Sequence, residues 1–285
     1  MIVSVASGKG GTGKTTIAVA FARAAGDSAY VDCDVEAPNG ALLMNPEIEH
    51  TEDVLRTVAR IDNEKCTFCG ICADACVFNA IAIAPATRRT AVFDDLCNGC
   101  GVCSFVCPED AISEISLRAG VVSSGTAGDQ AFREGCMDSS VPHAHPTLEA
   151  TLETLPDRPI VVLDSEPGVT ARVASIVRSS DVCVLVTEPT PYGLHDMKRA
   201  VGLVRAAQIP MGVVINRSDV GDSSAVDYCR AEGIPVLLEI PFDRKIAMGY
   251  AEGRELFRVR PDLVTKFKQM IETLRDLSQQ REAVA

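Results

Sequence analysis

Eight cysteines fall in two runs, Cys66-x2-Cys69-x2-Cys72-x3-Cys76 and Cys97-x2-Cys100-x2-Cys103-x3-Cys107-Pro108. Thiolates are soft ligands for iron–sulfur clusters and for zinc. Three cysteines at i, i+3 and i+6 wrap three corners of a cubane, and the fourth of such a run ligates the other cluster. One [4Fe-4S] cluster is therefore expected on Cys66, Cys69, Cys72 and Cys107. The other is expected on Cys97, Cys100, Cys103 and Cys76. Structural zinc is the competing reading of any Cys-x2-Cys pair. The segment also repeats itself over 31 residues, Cys66 to Cys97, and both halves continue to an Ala-Ile pair, Ala80-Ile81 and Ala111-Ile112. That is the mark of an internal duplication.

A second constellation lies near the start. Gly8-Lys9-Gly10-Gly11-Thr12-Gly13-Lys14-Thr15-Thr16 follows a short apolar run and precedes an alanine-rich stretch. Glycines let backbone N–H groups curl around an anion, and the following helix points its positive end at phosphates. In such a loop Lys14 reaches the β- and γ-phosphates and the Thr15 hydroxyl ligates Mg²⁺.

With both Lys9 and Lys14 the loop resembles the deviant Walker A of the MinD/ParA/Mrp class, which includes the nitrogenase iron protein. The resemblance implies that Lys9 reaches across an ATP-dependent homodimer to the partner's nucleotide. There it would act like an arginine finger in trans. It implies that Asp34, in Asp32-Cys33-Asp34, orients the attacking water near Mg²⁺. Asp164, in Asp164-Ser165-Glu166-Pro167-Gly168, would hold Mg²⁺ through water, with Glu166 standing where the class has proline or alanine. Asn216 resembles the adenine-reading asparagine. Pro241 and Asp243, in Ile240-Pro241-Phe242-Asp243, resemble the loop that closes over the base. The cysteine block looks like a bacterial two-cluster ferredoxin, with Val77 where a proline usually follows the fourth cysteine. Ala171 stands where the nitrogenase iron protein has its bridging cysteine, so no subunit-bridging cluster is expected.

These residues need a scaffold that presents them together. Apolar runs at Ile2–Ala6, Ser28–Val31, Ile160–Leu163, Val182–Thr187, Met211–Asn216 and Val236–Ile240 predict strands. Helical periodicity over 14–25, 169–178, 194–207, 223–233 and 262–279 predicts the helices between them. Alternation of this kind specifies a doubly wound, mostly parallel α/β sheet of the P-loop NTPase type, with the ferredoxin block inserted. The expected division is an ATPase domain at 1–60 and 116–285 around an insertion at 61–115. Residues 39–60 are expected to be helical. Residues 117–146 are expected to be irregular apart from a strand pair near 120–124, with Cys136 in irregular chain near His143 and His145. Leu263, Phe267, Ile271, Leu274 and Leu277 make one stripe on the last helix, expected to dock on the ATPase core.

Composition narrows the function. The chain has 285 residues, 47% of them hydrophobic, which excludes a wholly disordered protein. Its net charge of −12 opposes binding to nucleic acid or to an anionic membrane. No membrane span and no signal peptide are read from the sequence, so a reducing, cytoplasmic setting is expected for the 12 cysteines. Of the remaining four, Cys33, Cys183 and Cys229 read as packing residues. The expected cofactors are ATP or ADP, Mg²⁺ and two [4Fe-4S] clusters. The expected function is an ATPase of the Mrp kind that assembles or carries metal clusters for an unidentified metalloprotein acceptor. An ATP-gated electron donor is the alternative, and a spatial-positioning ATPase is a weaker third.

Overall fold

The computed structural model describes residues 1–282. The chain order is β1 (Ile2–Ala6), α1 (Lys14–Ala25), β2 (Ser28–Asp32), α2 (Gly40–Met44), β3 (Glu47–Ile61), α3 (Ile71–Asp74), β4 (Ile81–Ala84) and β5 (Arg89–Val92). It continues with α4 (Val102–Phe105), β6 (Ile112–Ala127), β7 (Gln130–Met137), α5 (His145–Glu153), β8 (Ile160–Asp164), α6 (Ala171–Arg178) and β9 (Val182–Thr187). The last elements are α7 (Pro191–Ala206), β10 (Met211–Asn216), α8 (Ser224–Ala231), β11 (Val236–Ile240), α9 (Arg244–Ala251), α10 (Leu256–Val259) and α11 (Val264–Glu282).

Nine strands form one sheet in the order β11-β10-β9-β1-β8-β2-β7-β6-β3. From β11 to β7 every neighbouring pair is parallel. β2, β8 and β9 are buried along their whole length, which is why they read as unbroken apolar runs rather than alternating ones. Helices cover both faces. On one, Ile17 and Phe21 of α1 pack with Phe267, Ile271 and Leu274 of α11 against Val162 and Val184. The predicted stripe of the last helix thus docks on the core. On the other, Val173, Met197, Val201 and Cys229 pack against Leu185 and Ile215. β1 lies between β8 and β9, where the order of the sheet reverses. Ligands of open parallel sheets bind at the carboxyl ends of strands at such a point.

Two expectations are corrected. Residues 39–60 are not one helix. Helix α2 stops at Met44 because Asn45 takes a left-handed cap (φ 49°) and Pro46 follows. The chain then runs extended as β3, with Val54 and Val58 buried on one face of the pleat. Residues 117–146 are also more regular than expected: β6 and β7 form a long hairpin turned by Gly128-Asp129, and Cys136 lies on β7. The glycine and serine content there marks close strand approach, since a Cβ on Gly125 would stand 1.9 Å from the Glu47 carbonyl oxygen.

The chain divides into two compact units. One comprises 1–52, 122–136 and 148–285, and the other comprises 53–121 and 137–147. The second contains all eight clustered cysteines and is wider than the cysteine block itself. Among the described residues, no helix is long and apolar enough to cross a membrane.

Candidate functional sites: a phosphate-loop cleft and two cysteine hollows

In the larger unit, β1 ends at Ala6 and α1 begins at Lys14, so the glycine loop sits at the carboxyl end of a central strand. Gly11 and Gly13 take left-handed conformations (φ 80° and 89°), which other residues adopt only with strain. A Cβ on Gly13 would stand 2.5 Å from Asn216 Nδ2, and one on Gly8 would stand 2.2 Å from the Asp196 carbonyl oxygen. The loop borders a cleft of about 490 Å³, within the range of small-molecule sites. Gly10 to Thr16, Asp34, Asn216, Pro241 and Asp243 all line it. Arg217, Ile246, Tyr250 and Leu256 line it as well. Sequence reasoning missed these four, because three of them sit on the short helices α9 and α10, whose periodicity is too brief to read. Thr12 Oγ1 is buried in the loop without a hydrogen-bond partner.

Register places the carboxylates. Asp32 and Asp164 are partners across β2 and β8, and Val5 pairs with Asp164 across β1 and β8. Lys14 Nζ lies 2.5 Å from Asp164 Oδ1, with both side chains buried. Burial works against the Lys14 charge, but Asp164 and the Asp32 and Asp34 charges beside it together outweigh burial and hold the lysine pKa above its ordinary value. Burial, and then the nearby Asp164 charge, push the Asp32 carboxyl up to about 7. Burial also raises Asp34. Asp32 accepts hydrogen bonds from the backbone N–H groups of Asp34, Asn39 and Gly40, which shapes the loop after β2.

Four residues singled out in the sequence have partners that the sequence did not announce. Lys9 Nζ lies 3.2 Å from Glu188 Oε2, and Arg217 donates to Glu188 Oε1 at 2.6 Å. Asn216 lines the cleft, but its Nδ2 donates to the Thr12 carbonyl and its Oδ1 accepts from the Arg217 N–H. Glu166 is buried and accepts from Thr170 Oγ1 and Arg172 Nε, while Arg172 Nη2 reaches Glu36 at 2.8 Å. Asp243 caps α9 through the Lys245 N–H.

The smaller unit carries two hollows. One is lined by Cys66, Cys69, Cys72 and Cys107. The other is lined by Cys76, Cys97, Cys100 and Cys103. In each, three cysteines of one half meet the fourth of the other. The duplication extends to the backbone. Left-handed conformations recur at Phe68 and Gly99, at Gly70 and Gly101, and at Asn79 and Asp110. The Asp62 N–H donates to the Ala111 carbonyl and the Phe93 N–H to the Ala80 carbonyl, so the halves exchange equivalent bonds. Backbone N–H groups of Phe68, Ala80 and Ala111 point at the sulfurs of Cys66, Cys76 and Cys107 at 3.3–3.4 Å. Such donors stabilise thiolates and tune clusters. Among the described residues, no three His, Cys, Asp or Glu side chains close on a single metal ion.

Cys33, Cys183 and Cys229 are buried, and burial pushes the thiols of Cys183 and Cys229 up to about 12 and about 11, as inert packing residues require.

A phosphate loop at the reversal point of a doubly wound sheet, facing a cleft of this size, defines a nucleotide-binding α/β protein. The sequence profile of the CobQ/CobB/MinD/ParA nucleotide binding domain matches residues 3–257, and the chain belongs to that family. It is 26% identical over 270 residues to uncharacterized protein MJ0579 of Methanocaldococcus jannaschii, covering 90% of this chain and 92% of that one. The fold is similar to the septum site-determining protein MinD of Pyrococcus horikoshii complexed with Mg-ADP (TM-score 0.55, 20% identity, 98% of each chain). It is also similar to the cell division ATPase MinD of Pyrococcus furiosus (TM-score 0.56, 21% identity, 96% of this chain and 98% of that one).

Proposed function

We propose that this chain binds and hydrolyses ATP and carries two [4Fe-4S] clusters, with ATP turnover gating assembly or delivery of metal clusters to a metalloprotein acceptor. The observation that carries the reading is one chain holding both a phosphate-loop cleft and two four-cysteine hollows. The hollows suit clusters better than zinc. Four thiolates on zinc sit at about 2.3 Å from one ion, whereas a cubane stands between its ligands and holds them farther apart. Exposed Cys69 and Cys100 leave one ligand of each set open to an acceptor.

In this reading residues 61–115 form the two-cluster module within an ATPase module of 1–60 and 116–285. Gly8 to Thr16 cradle the phosphates, Asn216, Pro241 and Asp243 surround the base, and Lys14 neutralises phosphate charge. The hard oxygens of Thr15, Asp34 and Asp164 suit Mg²⁺, directly or through water. Mg²⁺ would neutralise phosphate charge, and Asp34 would orient the attacking water. Lys9 would serve the partner's nucleotide in an ATP-dependent homodimer. The setting is the cytoplasm, without nucleic acid or membrane as partner.

The second reading is an ATP-gated electron donor. It is favoured by the crossed closure of each hollow, which ties both sites into one fold and keeps the clusters resident. One experiment separates the two. Protein loaded with labelled iron is reduced anaerobically and mixed with a candidate apo-metalloprotein and ATP. Labelled iron in the acceptor supports the carrier, and electrons without iron support the donor. Protein that takes up neither iron nor nucleotide sinks both.

A further inference from the structure

Tyr30 is fully buried on β2 and stacks on Phe132 with ring centroids 6.0 Å apart. Any large apolar residue could fill that space, so its hydroxyl calls for a reason, since burying one without a good partner is costly. The partner is specific. Tyr30 Oη donates to Asp164 Oδ2 at 2.8 Å and lies 3.4 Å from Asp32 Oδ2. Period-two alternation puts Tyr30 and Asp32 on one face of β2, and the β2–β8 register sets Asp164 beside Asp32. The phenol therefore sits between two carboxylates and donates chiefly to one.

The loop above leaves room for this arrangement. Gly40, whose N–H bonds Asp32, is the first residue of α2. A Cβ there would stand 2.2 Å from the Tyr30 hydroxyl. Neither Tyr30 nor Asp164 lines the cleft; Lys14, which does, stands against Asp164. Asp164 thus has both oxygens engaged, Oδ1 by Lys14 and Oδ2 by Tyr30.

We propose that Tyr30 is a positioning residue for Asp164, fixing the carboxylate by one oxygen so that the other alone exchanges between Lys14 and the Mg²⁺ site. The inference rests on the ATP-binding reading above. With Lys14 drawn to phosphate, Oδ1 would be freed, and the phenol would hold the carboxylate in place beside Asp32. Groups that hold a metal ligand in this way are typically worth 10- to 100-fold in metal affinity.

The test is Tyr30→Phe, which keeps the ring and its stack and removes only the hydroxyl. A fluorescent ADP analogue is titrated onto the full chain without Mg²⁺, and again as Mg²⁺ is raised from a chelated start. Binding without Mg²⁺ is expected to match wild type, while the Mg²⁺ midpoint rises about 10- to 100-fold. Phe132→Leu is the control: it loosens the stack, keeps the hydroxyl, and is expected to lower thermal stability with no change in that midpoint. An unchanged midpoint in Tyr30→Phe, or an equal shift in Phe132→Leu, would overturn the proposal while the ATP-binding reading stands. A wild-type chain that takes up no nucleotide at any Mg²⁺ concentration overturns both.

Discussion

Lys9, the extra lysine of the phosphate loop, is paired within its own chain: its ammonium lies 3.2 Å from Glu188, a residue after β9. Glu188 is largely buried, is shared with Arg217, and leaves Lys9 about one-third exposed. Service in trans requires Lys9 to leave this carboxylate. Glu188→Gln should therefore favour ATP-dependent dimerisation, moving the dimer midpoint to lower ATP in sedimentation or light scattering. An unchanged midpoint would show that the pair does not restrain Lys9. Lys9→Ala should spare monomer binding of nucleotide and lower turnover by on the order of 10³, as loss of an arginine finger does. Mixed dimers of Lys9→Ala chains with chains defective at the ATP site should show complementation or its loss according to which subunit supplies the lysine. Normal turnover by Lys9→Ala monomers would end the trans assignment.

Lys14 differs in kind, because it is buried against Asp164. Lys14→Ala should abolish nucleotide binding and also cost stability, roughly 3–5 kcal/mol, by leaving a buried carboxylate without its counter-charge. Binding of labelled ADP and the thermal midpoint check the two effects separately. Lys14→Ala with wild-type stability would mean that Tyr30 and water suffice to hold Asp164.

The crossed hollows assign each cysteine to one site. Cys107→Ala should damage the cluster of Cys66, Cys69 and Cys72, and Cys76→Ala that of Cys97, Cys100 and Cys103. Paramagnetic resonance of the reduced protein distinguishes the clusters. Loss of the opposite cluster in either variant would contradict crossed ligation.

Anaerobically prepared protein should be brown and contain about eight irons per chain, two four-iron clusters. The chain has no tryptophan and only four tyrosines, so visible absorbance should be large relative to that of the protein. Stoichiometric zinc without iron would overturn the cluster reading.

Much of this was legible from residue order. The glycine loop, the strands around it and the spacing of eight cysteines are local signals, and the structure brings together the residues they pick out. What escaped is of two kinds. The helix expected over 39–60 passes over the stop at Asn45-Pro46, and the irregular chain expected over 117–146 passes over the close approach at Gly125; both are matters of backbone geometry, and they hide β3 and most of the β6–β7 hairpin. The pairs Lys9–Glu188 and Tyr30–Asp164 join residues more than a hundred positions apart. No period or motif encodes them, because sheet register makes them neighbours. Asn216 is legible from its place at the end of β10, but its bond to the Thr12 carbonyl depends on Gly13 having no side chain.

The exchange of fourth cysteines between halves also bears on how the chain is made. During synthesis from the amino terminus, Cys66, Cys69 and Cys72 emerge early, yet their hollow stays open until Cys107 has been translated. Cys76 likewise waits for Cys97, Cys100 and Cys103, which are translated just before Cys107. Neither half is a self-sufficient container, so a nascent chain stalled between Cys76 and Cys97 presents four of the eight clustered thiols with no complete site. If the hollows hold clusters as proposed, loading would be confined to chains whose second half has been translated and folded against the first.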